Sequence, residues 1–150
     1  MRDLVRLFMM PALVLAAVCS PGEWALSQTP INLTAQVIHA SNQGATVDPA
    51  LAKIRSQLAS LTYTNYRLLE THPLATRLGA KHAILLPGGR TLDLYPYGLS
   101  DGRLELLVTI TEGAKRILDT TVRLSNNNTI VVGGPSHAGG VLIVALTGTF

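Results

Sequence analysis

The sequence predicts an α+β domain in which one N-terminal amphipathic helix packs on a mainly antiparallel meander sheet of about six to eight strands. A small, partly open β-barrel closed by the same helix is the alternative. Three observations carry this reading. Turn signals recur at short intervals through the second half of the chain. Alternating apolar residues lie between them, most clearly Leu104, Leu106, Val108 and Ile110. A single stripe of Leu51, Ile54, Leu58 and Leu61 has the spacing of a helix.

The first 27 residues read as a secretory signal. Arg2 and Arg6 precede the apolar run Leu7–Val18, and Pro21 and Gly22 end it. The run is too short to cross a bilayer as a helix, which takes about 20 residues. Ala25-Leu26-Ser27 places small residues where a signal peptidase needs them, so cleavage is expected before Gln28. That leaves residues 28–150 as a periplasmic or extracellular domain. Lipid anchoring at Cys19 is the alternative, although Val18 is bulky for the position before a lipidated cysteine. Cys19 is the only cysteine, so cleavage near Ser27 removes any disulfide or thiol chemistry. A cysteine-free exported chain suits a bacterial periplasm.

The mature part is expected to begin with a strand, Leu33–Ala40, that carries Leu33, Ala35 and Val37 on one face. Asp48 can cap a helix start, and Pro49 fits its first position; the helix should run to about Leu61. Strands are expected at Tyr63–Glu70, Lys81–Leu86, Thr91–Tyr97, Leu104–Thr111, Arg116–Leu124, Thr129–Val132 and Val141–Thr147. Tyr63 and Tyr66 would point to opposite faces of the first of these. Gly79-Ala80, Pro87-Gly88-Gly89, Asp101-Gly102, Glu112-Gly113 and Asn126-Asn127-Asn128 supply turns. Gly133–Gly140 reads as a loop.

Composition narrows the function classes. Charged residues make up 14% and hydrophobic residues 47%, which argues against a disordered tail. Aromatics at 5% are too few for a platform that stacks single-stranded bases. A net charge of +3 without any Lys/Arg cluster gives no footprint for nucleic acid. No nucleic-acid partner is therefore expected, nor a transmembrane span in the mature chain.

The glycine-rich stretch holds the candidate binding residues Gly133, Gly134, Ser136, His137 and Gly139. Loops on a rigid scaffold often carry recognition. A phosphate-binding loop would need a helix directly behind it, and strand-like Val141-Leu142-Ile143-Val144 follows instead. Ser136 and His137 suggest a hydrolase as an alternative. Neighbours on an extended chain point apart, however, and no acid lies close in sequence. His39, His72, His82 and His137 show no metal-pair spacing, so neither a metal nor a cofactor is expected. Among the acids, Asp93 could face Glu105 or Arg103 across a hairpin.

Ser125–Gly134, a polar turn followed by a short apolar strand and a Gly-Gly pair, resembles a hairpin of outer-membrane secretins. The resemblance covers those residues alone and implies envelope association, with no residue role. The terminal strand ending in Phe150 is similar to the assembly signal of outer-membrane barrels, but the aromatic girdles of such barrels are missing. The sequence therefore points to an exported, non-enzymatic binding or assembly module of the bacterial cell envelope. Its partner would be an envelope protein or a second copy, met through sheet edges. A small secreted hydrolase and a lipid-anchored or outer-membrane-associated protein are the alternatives.

Overall fold

The computed structural model describes residues 29–150; the expected signal, its expected cleavage point and Cys19 lie outside them. The α+β expectation is corrected: strands account for 66% and helix for only 8%, and the strands form two antiparallel sheets. One sheet has the order β2-β1-β8-β7, the other β3-β4-β5-β6. In chain order the strands are β1 Ile31–Ser41, β2 Asn65–Thr76, β3 His82–Leu86 and β4 Arg90–Ser100, then β5 Arg103–Glu112, β6 Lys115–Ser125, β7 Thr129–His137 and β8 Gly140–Thr149. The barrel alternative is corrected as well, since each sheet keeps two open edges.

A meander pairs each strand with its sequence neighbour. That holds for β3 to β6 but fails at β1, which lies between β2 and the last strand. Asn32 to Ala40 of β1 pair in register with Thr149 to Val141 of β8. The apolar alternation explains why the sheets then stack. Leu33, Ala35 and Val37 face inward from β1, and Leu142, Val144 and Leu146 from β8. They meet Leu92 and Leu94 of β4 and Leu104, Leu106, Val108 and Ile110 of β5, all buried. Fully burying one such side chain contributes about 1.5–3 kcal/mol.

The expected helix is present only as a short segment on the outer face of the first sheet. A 3₁₀ turn, Pro49–Ile54, leads into one α-turn, Arg55–Leu58. Its start follows the sequence signal: Asp48 Oδ1 accepts a bond from the Ala50 amide at 3.0 Å, and Pro49 follows. The three-residue step from Leu51 to Ile54 matches the 3₁₀ period and lays both side chains on the sheet. Together with Leu58 they bury Ile38, Ala40, Ile143 and Ala145. So short a helix is held by this packing rather than by its own hydrogen bonds.

The Tyr66 hydroxyl then donates to the Leu58 carbonyl at 3.0 Å and closes the segment. Tyr63 precedes β2 instead of belonging to it. Both tyrosines therefore pack into this second cluster rather than on opposite faces.

Candidate functional site

The stretch read as a recognition loop is mostly strand. β7 continues through Gly133, Gly134, Pro135 and Ser136 to His137, and only Ala138 and Gly139 form the turn into β8. Both turn residues have positive φ, 46° and 77°, which suits a tight two-residue hairpin. The ladder between β7 and β8 shifts between Gly133 and Ser136, at Pro135. Proline cannot donate to a ladder, so a bulge is where a strand tolerates it.

The five candidate residues are thus distributed along one hairpin. Gly133 has open space beside its α-carbon, whereas Gly134 backs closely on the Leu142 carbonyl. Gly139 lies beneath the Gln43 amide. Ser136 borders a cleft of about 530 Å³ whose other walls include Arg90, Glu112, Lys115 and Arg116. His137 lies at the end of the sandwich, with its Nδ1 beside the turn at Gly88.

The His137 carbonyl accepts a bond from His39 Nε2 at 2.9 Å, and the two rings meet edge to face at 6.0 Å. This contact ties the β7–β8 tip to β1. Beyond it lies a second, smaller cleft of about 270 Å³, bordered by His39, Gln43, Asn65, Arg67 and Ala138.

Charge at this end is net positive. Arg67, Arg90, Lys115 and Arg116 border the two clefts with Glu112, and Asp119 lies against Arg116. Arg90 is largely buried, with a side-chain exposure of 15%; its Nε donates to Glu112 at 3.2 Å, and its Nη1 is buried without a partner among the described residues. Arg116 pairs with Asp119 at 2.9 Å. None of these cations was singled out from the sequence. They are scattered over three strands, and only the two-sheet arrangement gathers them.

A hydrolase needs a nucleophile, a base and an orienting acid in hydrogen-bond contact. Among the described residues no hydrogen bond joins Ser136 to His137, and none joins a carboxylate to the His137 ring. Ser136 pairs with Val141, and His137 with Gly140, as successive members of the ladder.

The other histidines lie elsewhere. His72 contacts Glu70 at 2.8 Å, and His82 Nε2 meets Thr76 Oγ1 at 2.8 Å. No group of three or more potential metal ligands occurs among the described residues. Asp93 faces neither Glu105 nor Arg103. It lies 3.7 Å from Lys81, while Glu105 pairs with Arg123 at 3.4 Å, its register partner on β6. Among the described residues no helix is long and apolar enough to cross a membrane.

No protein-family model matches the chain, and no curated protein and no solved structure matches it either.

Proposed function

We propose that this protein is an exported binding module of the bacterial cell envelope that acts without catalysing a reaction. It meets an envelope protein at the end of the sandwich where the β7–β8 hairpin turns. The observation that carries the reading is the convergence of Arg67, Arg90, Lys115 and Arg116 around that tip, of which Arg67 and Lys115 make no ion pair among the described residues. A partner with an acidic surface would be steered there and oriented by this field.

The adjoining edge offers the second half of a contact. β7 ends its sheet and has no Lys, Arg, Asp or Glu along its length. β6 is guarded by Lys115, Arg116, Asp119 and Arg123, and β3 by its length of only five residues. β2 and β7 each contain a proline, Pro73 and Pro135, but β2 also carries Arg67 and Glu70, which leaves β7 the edge with least to deter pairing. A partner strand would accordingly add beside β7. Export rests on the leader, Arg2 to Ser27, read from the sequence.

The test is site-specific photo-crosslinking in the native cell. A photoreactive residue at Ala138 should give one discrete protein adduct in the envelope fraction, with the recovered chain starting at Gln28. The same residue at Asp101, on a hairpin at the opposite end, should give none. Reversing Arg90 and Lys115 to glutamate should abolish the adduct. Equal labelling from both ends, or none from Ala138, would overturn the reading.

A further inference from the structure

The helical segment covers only part of the outer face of the β2-β1-β8-β7 sheet. Beside it runs a groove of about 520 Å³, within the size range of small-ligand sites. Its floor is a row of threonines. Thr34, Thr147 and Thr129 lie opposite one another across β1, β8 and β7. Thr129 and Thr147 share a hydroxyl hydrogen bond of 2.7 Å. One hydroxyl supplies that proton, and the other keeps its own free to donate.

Lys53 and Gln57 of the helical segment form one wall. Asn127 and Asn128 of the β6–β7 turn form the other. That turn is held in shape: Asn127 has φ 61°, its amide donates to the Gly148 carbonyl at 2.8 Å, and the Asn128 amide donates to the Ser125 carbonyl at 3.1 Å.

Two features of the groove call for a ligand. Gln57 Oε1 is buried and has no hydrogen-bond partner among the described residues. Buried acceptors are nearly always satisfied, so a ligand that draws the Gln57 side chain into the groove would complete this one. Lys53 is exposed, makes no ion pair among the described residues, and is the only charged group bordering the groove.

We propose that this groove binds an acidic saccharide, a sugar ring bearing a carboxylate. Hydroxyls and primary amides both donate and accept, as sugar hydroxyls do, and Lys53 would take the carboxylate. An extended peptide fits less well. The floor strands β1 and β8 are each paired on both sides, so their main chains have no free ladder to offer. Among the described residues no aromatic ring borders the groove to stack on a sugar, so the affinity of a single ring should be modest, with a Kd of about 1 mM.

The test is a titration of the ¹⁵N-labelled protein followed by heteronuclear NMR, with methyl glucuronide and the neutral methyl glucoside as probes. Glucuronide should shift the Gln57 side-chain amide and the Thr34, Asn128 and Thr129 amides saturably. Glucoside should bind the same place roughly 5-fold more weakly. Lys53→Gln should bring glucuronide down to the affinity of glucoside and leave glucoside unchanged. Gln57→Leu should weaken both, and the spectrum itself reports whether each variant is folded. The proposal is overturned if neither probe gives saturable shifts in the groove up to about 20 mM, roughly twenty times the expected Kd. It is equally overturned if acetate alone reproduces the glucuronide shifts.

Discussion

Four glycines fall between residues 133 and 140, and the structure gives each a different reason to be glycine. Alanine substitutions should therefore differ sharply in cost. At Gly140 an added Cβ would collide with the Ala40 carbonyl of β1 and stand 3.0 Å from His39 Nε2. The obstacle is backbone, and β1 is held between two strands. Overpacking of this kind costs typically 1–3 kcal/mol, so Gly140→Ala should lose about 3 kcal/mol.

Gly134 meets the Leu142 carbonyl at 2.8 Å, but it sits at the bulge, where the ladder has room to adjust; about 1–2 kcal/mol is expected. Gly139 has φ 77°, and its nearest neighbour is the flexible end of Gln43, so the left-handed conformation sets a cost of about 1 kcal/mol. Gly133 has nothing within 4 Å and no positive φ; alanine there should be neutral or stabilising by about 0.5 kcal/mol.

Urea unfolding of the four variants measures this order directly. With a slope of about 1–3 kcal/mol per molar, Gly140→Ala should lower the midpoint by roughly 1–3 M at an unchanged slope. A Gly140→Ala midpoint within error of the parent would refute the close approach of β8 to β1. A Gly133→Ala variant as damaged as Gly140→Ala would refute the assignment of separate causes.

Further expectations concern the two cores and the helical segment. Leu92→Ala, at a site 0% exposed between the sheets, should cost about 2–5 kcal/mol in thermal or urea unfolding. Leu85→Ala, 78% exposed on the outer face of β3, should change stability by less than about 0.5 kcal/mol. Asp48→Ala should cost about 1–2 kcal/mol through the lost cap, and Asp48→Asn, which can still accept from the Ala50 amide, should recover most of it.

Burial pushes the Tyr66 phenol above its ordinary pKa of 10.0. The folded state thus holds the proton more tightly than the unfolded chain. This contribution is whole below pH 10.0 and is lost as pH rises through the raised folded value. Tyr66→Phe should remove that alkaline loss while costing about 1 kcal/mol at neutral pH, because the Leu58 carbonyl loses its donor. Urea midpoints measured between about pH 8 and 11 for the two proteins separate these effects.

Local chemistry made much of the chain legible. Asp48 and Pro49 start the helical segment, Asp101 and Gly102 turn with positive φ between β4 and β5, and Leu104 to Ile110 alternate into the core as their spacing demands. Each of these depends on neighbours a few residues away, which is the range over which capping, turn geometry and side-chain period act.

The division into two sheets does not have that range. Pairing β1 with β8 joins Asn32 to Thr149, and no short pattern in either segment names the other. The length of the helical segment was also decided at a distance. Leu51, Ile54 and Leu58 satisfy the patch around Ile38 and Ile143, and the chain then turns to deliver Tyr66 to β2. The glycines near the β7–β8 tip looked like a flexible loop because flexibility is the local meaning of glycine. Gly134 and Gly140 are instead strand residues whose missing side chains let another backbone approach, and only the packed sheets show which backbone that is.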